Sequence, residues 1–255
     1  MVLVHGNPES SALWDPLVAA LDREDVVRLS PPGFGAPVPE GFAATVDAYR
    51  DWLAEEVSAL GGPVHLVGHD WGGGHVVNLA MSRPDLVRSW TTDILGVYDP
   101  EYVWHDRALT WQSPGGPEAV AAMTDAPPER RAQWLVRQGA PREVAEAMAA
   151  AQTPEMGRCI LALYRSAAQP AMAERGEALP SAAVRPGLSI VATEDPYVGT
   201  PAQRRRAAGR AGAREAVLDG LGHWWMLQDP RRGAEVLGRF LREVEESAAG
   251  AVGPR

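Results

Sequence analysis

Short apolar runs alternate along this chain with stretches whose apolar residues recur every three to four positions. Val2, Leu3 and Val4 predict a first strand, 11–21 a helix and 26–29 a second strand. Residues 45–60 place Val46, Tyr49, Trp52, Leu53 and Val57 on one face and predict an amphipathic helix. A strand over 64–67 is followed by a helix over 74–82 and a strand over 88–95; much later come strands over 188–193 and 215–218 and a helix over 230–246. Strand–helix alternation with short connections implies an α/β fold, a mostly parallel sheet flanked by helices on both faces.

The alternation is interrupted between 96 and 185. This stretch is rich in Ala, Glu, Arg and Met and reads as short helices broken at Pro114, Pro117, Pro127, Pro128, Pro141 and Pro154. A helical insertion between two halves of a sheet predicts a lid over the strand ends, where ligands bind in open α/β sheets. The expected organisation is a core over 1–95 and 186–247, a helical cap over 96–185 and a flexible tail over 248–255.

Composition narrows the partners. The net charge is −9 and all 24 basic residues are Arg, which argues against nucleic acid as the partner. The run Arg204-Arg205-Arg206 reads as a solvated helix face, and the single Cys159, in an apolar helical stretch, as a buried structural thiol. No charged leader precedes the first strand and no apolar stretch approaches a membrane span, so a cytoplasmic protein without membrane partners is expected, as monomer or homodimer. Several of the nine tryptophans lie near the candidate site and could wall an apolar pocket.

That site is Gly68-His69-Asp70-Trp71-Gly72-Gly73, a glycine-bounded turn between a predicted strand and a predicted helix. It is the nucleophile elbow G-x-S-x-G with aspartate in place of serine. A carboxylate is ionised at neutral pH and attacks without a base removing a proton, which favours displacement at alkyl carbon over acyl transfer.

With His5-Gly6-Asn7-Pro8, Thr193-Glu194-Asp195-Pro196 and Gly222-His223-Trp224-Trp225, the elbow completes four motifs in a fixed order over nearly the whole chain. In this the chain resembles the α/β-hydrolase superfamily, and within it the epoxide hydrolase and haloalkane dehalogenase branch. The resemblance implies Asp70 as nucleophile, His223 as the base that activates water and Asp195 as the acid that orients His223, with Glu194 and Asp93 as rivals for that last role. It also implies an oxyanion site from the backbone amides of Asn7 and Trp71, and no cofactor or metal. Two strands that normally precede the oxyanion-loop strand are not seen, so a trimmed sheet with a new edge strand is expected. His69 and His75, next to the elbow, are expected to point into the structure.

The leaving group is the open question. Asn7 and Trp71 occupy the positions from which dehalogenases of this branch bind the departing halide. In the cap, Leu161-Ala162-Leu163-Tyr164-Arg165-Ser166 is similar to the segment whose tyrosine protonates an opening epoxide. Where a second such tyrosine belongs, this chain has Trp111, which with Trp224 is a pocket candidate; Tyr98 and Tyr102 lie nearby outside the motif. The balance leans to halide, with epoxide hydrolysis a near alternative and a small apolar electrophile plus water as reactants. A non-catalytic binding protein on the same fold is the rival from another class, disfavoured because Asp70, Asp195 and His223 are all present. No G-x-S-x-G motif supports a serine esterase.

Overall fold

The computed structural model describes residues 1–251. Among these, six strands form one sheet: β1 (Val2–Val4), β2 (Val27–Leu29), β3 (Val64–Gly68), β4 (Val87–Thr92), β5 (Gly187–Ala192) and β6 (Ala213–Leu218). Their order is β2-β1-β3-β4-β5-β6, and every neighbouring pair is parallel. The fold is that of an α/β hydrolase. One edge is β2, where Val27 and Arg28 are exposed and Leu29 is half-buried.

The helices are α1 (Asp15–Ala20), α2 (Val46–Ala59), α3 (Trp71–Ser82), α4 (Asp106–Gln112), α5 (Gly116–Thr124), α6 (Pro128–Arg137), α7 (Arg142–Ala151), α8 (Pro154–Ser166), α9 (Ala171–Gly176), α10 (Pro201–Arg210), α11 (Trp225–Gln228) and α12 (Pro230–Ala251). Strand periodicity divides the core between the two faces of the sheet. Val2 and Val4 of β1 face one cluster with α2 and α3, while Leu3 faces the other with α1 and α12. On α12, Leu237, Phe240, Leu241 and Val244 recur at helical spacing and are buried in that second cluster. Thr45 caps α2 by accepting the Ala48 N–H, and Trp52 lies only at the rim of the buried face.

The helix after β3 begins at Trp71, three residues before the expected start, because Asp70 already occupies the cap position. Between β4 and β5 run α4 to α9 without a strand. The prolines there act as initiators more than as breakers: Pro128 and Pro154 are the first residues of α6 and α8, and Pro117 lies in the first turn of α5. Proline suits that turn because its missing N–H would have no helical partner. Of the expected tail, residues 248–251 continue α12 and 252–255 lie outside the described residues. Among the described residues no helix is long and apolar enough to cross a membrane.

Candidate active site

The chain leaves the carboxyl ends of β1, β3, β4, β5 and β6 into the loops that carry Asn7, Asp70, Asp93, Asp195 and His223. Five loops at one sheet edge bring together residues more than 200 positions apart. Asp70 sits at φ 49° and ψ −131°, a strained conformation for a residue with a side chain, as expected at a nucleophile elbow. The turn closes because a Cβ on Gly72 would overlap the Val4 carbonyl oxygen.

One Asp70 oxygen, Oδ1, accepts the Asn7 backbone N–H at 2.9 Å, and the Trp71 backbone N–H acts on the same carboxylate. The other, Oδ2, lies 3.6 Å from His223 Nε2. His223 Nδ1 in turn pairs with Asp195 Oδ2 at 2.8 Å. Burial pushes the Asp70 carboxyl upward, but His223, His69 and the Trp71 amide outweigh it and hold it at about 2. Burial pulls His223 down, yet Asp195 and Asp70 prevail and raise it to about 10. The resting pair is therefore carboxylate and imidazolium.

The Asp195 loop is tied down from α10. Arg204 is buried and donates to the carbonyls of Ala192 (2.7 Å), Gly199 (2.8 Å) and Asp195. Only Arg205 and Arg206 of the arginine run are exposed, which corrects the reading of all three as a solvated face. Glu194, the neighbour rival, is exposed.

Asp93 is engaged elsewhere. Its Oδ1 accepts the Asp70 N–H at 3.0 Å, and its Oδ2 accepts His69 Nδ1 at 2.5 Å and Trp225 Nε1 at 2.8 Å. On the far side, His69 Nε2 meets Glu9 Oε1 at 3.1 Å, and Glu9 also accepts Trp224 Nε1 and the Gly6 N–H. His69 and Glu9 are wholly buried. Burial opposes the His69 charge, but Asp93 and Glu9 raise its pKa well above the ordinary histidine value. His69, bridged between Asp93 and Glu9, thus ties the Asn7 loop, the elbow, β4 and the His223 loop together. Glu9, His69 and His223 also present ligand atoms within 4.8 Å of one another. Glu9 and His69 are already bonded to each other, and Glu9 also accepts Trp224 Nε1, so a hydrogen-bonded network accounts for the cluster. His75, by contrast, is held neutral by burial, at about 3, and stacks on Tyr49 at 4.8 Å.

Above Asp70, a cavity of about 30 Å³ is walled by residues including Asn7, Trp111, Tyr164, His223 and Trp224, together with His105, Arg107 and Tyr197. That is room for about one water. Asn7 Nδ2 donates to the Tyr164 hydroxyl at 3.2 Å. Burial and the Asp70 charge raise the Tyr164 pKa well above its ordinary value, against opposing effects of the Trp71 and Asn7 side chains. Tyr164 stands edge-on to Trp71 and Trp111, with ring centroids 5.4 and 4.8 Å away. Tyr98 and Tyr102 are bound elsewhere, to Gly74 and Asn78 and to the Tyr197 carbonyl.

Sequence reasoning brought Asn7, Asp70, Trp71, Trp111, Tyr164, Asp195, His223 and Trp224 to this place, and it missed Glu9, His105, Arg107 and Tyr197. Glu9 directly follows the His5-Gly6-Asn7-Pro8 motif, and nothing in its local sequence marks it as buried. His105 caps α4 by accepting the Ala108 N–H, a signal visible only once the helix start is known. Tyr197 follows Asp195 by two residues and packs edge-on to His223 at 5.1 Å.

A family described as the alpha/beta hydrolase family matches residues 1–236. Among curated proteins, the (E)-2-((N-methylformamido)methylene)succinate hydrolase of Acinetobacter baylyi is 31% identical over 100 residues, 38% of this chain and 38% of that protein. Haloalkane dehalogenase 2 of Mycobacterium tuberculosis is 34% identical over 108 residues, again 38% of each. These matches span little more than a third of the relatives' own length. Among solved structures, a haloalkane dehalogenase loop variant from Bradyrhizobium elkanii aligns with TM-score 0.73 and 22% identity over 98% of this chain and 91% of that one. An E-2-(acetamidomethylene)succinate hydrolase aligns with TM-score 0.71 and 18% identity over 95% and 91%. At such identities the structural likeness speaks for the fold.

Proposed function

The chain belongs to the alpha/beta hydrolase family, and on that scaffold we propose a hydrolase that displaces a leaving group from carbon with Asp70 and passes through an alkyl ester. The observation that carries this reading is the division of labour on Asp70. Oδ1 is held by the Asn7 amide while Oδ2 is turned toward His223 and the cavity.

In the first step Oδ2 bonds to carbon and the leaving group departs with the bonding electrons. Oδ1 becomes the ester carbonyl oxygen, already placed against the Asn7 and Trp71 amides that stabilise it as an oxyanion in the second step. Ester formation also removes the Asp70 charge that helps keep His223 protonated. His223 then releases its proton to solvent and takes one from water, whose oxygen attacks the ester carbonyl. The tetrahedral intermediate collapses, the alkoxide takes that proton from His223, and the proton left on Asp70 passes to His223, which restores the resting carboxylate and imidazolium.

The leaving atom belongs where Asn7 Nδ2 and Tyr164 converge. Because Asn7 already donates to the Tyr164 hydroxyl, that hydroxyl occupies the place a halide would need. Its proton has no acceptor among the described residues and can go to a departing alkoxide. This geometry favours epoxide opening. Halide release is the second reading, supported by the names of the haloalkane dehalogenase relatives. In both, the helical segment between β4 and β5 acts as the cap and must shift to admit substrate, since the cavity is so small.

The test is a screen of terminal epoxides and bromides scored for diol and for halide, repeated on Asp70→Asn and Tyr164→Phe. Epoxide opening requires that Tyr164→Phe abolish diol formation. Bromide release unchanged in Tyr164→Phe, with no diol from wild type, would establish the second reading instead. Turnover that survives Asp70→Asn would refute both.

A further inference from the structure

A larger cavity, about 590 Å³, lies beside the catalytic one and shares Pro8, Arg107 and Trp111 with it as common walls. Its lining contains Arg107, Arg130, Arg131 and Arg137 and no acidic residue. This is unexpected in a chain of net charge −9. Among the described residues none of these four arginines has a carboxylate within ion-pair distance, and all four line the same cleft. Arg107 is held instead over the Trp134 ring, 5.5 Å from its centroid. Arg131 donates to the Thr124 carbonyl and keeps its Nε buried without a partner. Uncompensated guanidinium groups around a cleft focus a positive potential and draw anions into it. Guanidinium also matches a carboxylate in shape and donor spacing. Of the remaining walls, Thr110 and Gln152 are polar, and the others, among them Trp111 and Trp134, are apolar and suit a hydrocarbon stem.

Building on the Asp70 mechanism, we propose that the substrate is a carboxylate-bearing electrophile. Its anionic end rests among Arg107, Arg130, Arg131 and Arg137, and its apolar stem passes Trp111 to present the reactive carbon to Asp70. The substrate class is thereby an amphipathic acid, not the wholly apolar electrophile expected from the tryptophans alone. The net-negative surface elsewhere repels such an acid and leaves this cleft as its point of entry.

The experiment compares a medium-chain carboxylate carrying a terminal epoxide or bromide with the primary alcohol of the same chain length. Wild-type kcat/KM is expected to favour the acid by about tenfold, the order of one favourable charge contact in a partly screened site. The ratio is expected to shrink as salt rises and to fall toward one in Arg107→Gln and in the Arg130→Gln/Arg137→Gln pair. An alcohol turned over as well as the acid, through an Asp70 adduct, would overturn this inference and leave the Asp70 mechanism standing. Neither turnover nor adduct with any of the probes would overturn both. A preference for the acid that persists undiminished in the arginine variants would place its recognition elsewhere and overturn the inference.

Discussion

Replacing His69 by Gln tests whether the imidazolium under the elbow holds the site together. In the native chain His69 bridges Asp93 at 2.5 Å and Glu9 at 3.1 Å, and its side chain is wholly buried. A neutral amide leaves two buried carboxylates facing each other without a counter-charge. Breaking a buried pair by removing one partner costs about 3–5 kcal/mol. For a chain of this length that corresponds to a fall in Tm of roughly 6–20 °C. Thermal melting followed by circular dichroism at neutral pH reads it directly. Arg142→Gln is the matched control. It removes one side of an exposed ion pair to Glu146 at 3.7 Å and is expected to change stability by less than about 1 kcal/mol. Adding Glu9→Gln and Asp93→Asn to His69→Gln removes the stranded charges, so the triple variant is expected to melt above the single one. A His69→Gln protein melting as the control does, or a triple variant no more stable than the single, would refute the network as described.

Two further outcomes follow from the site geometry. A Cβ on Gly6 would lie 2.6 Å from both Asp70 Cβ and the Trp71 nitrogen, where ordinary contact begins at 3.4 Å. Gly6→Ala therefore pushes the oxyanion loop off Asp70, and the rate of ester hydrolysis is expected to fall by about 10²–10³, measured by single-turnover kinetics; a rate within twofold of wild type would show that the Asn7 amide is not needed there. In acid and base the native state titrates in opposite senses. Asp70 and Asp195 are lowered, so their stabilisation is complete above the ordinary 3.8 and lost as pH falls below it. His223 is raised from 6.5 to about 10, so its contribution is complete below 6.5 and lost as pH rises toward 10. Melting temperature is expected to decline between those alkaline limits in wild type and less so in His223→Gln; equal slopes would contradict the His223–Asp195 pairing.

The sheet and the four motif loops were legible because each depends on local pattern. Val2-Leu3-Val4 and Leu66-Val67 alternate between two faces, and the glycines around Asp70 mark a turn that only close backbone approach explains. The parts not legible depend on which distant side chains meet. Nothing near Arg204 in sequence announces that it is buried against three carbonyls, since its exposed neighbours Arg205 and Arg206 look the same. Asp93 and Asp195 both lie in loops just past strands, and only the packing of the His223 loop decides which one its ring meets. The link from Asn7 to Tyr164 spans 157 positions, so no local pattern announces that the Asn7 side chain donates to a phenol.

A covalent bond between Asp70 and the substrate carbon becomes visible in His223→Gln. Gln cannot take the proton from water, so ester formation proceeds and hydrolysis stops. Intact-mass measurement of His223→Gln after exposure to a reactive epoxide or bromide is expected to show one added alkyl group per chain, mapped by peptide fragmentation to the segment holding Asp70 and absent from Asp70→Asn/His223→Gln. Substrate consumed by wild type with no adduct on the His223→Gln chain, or an adduct that persists without Asp70, would contradict it.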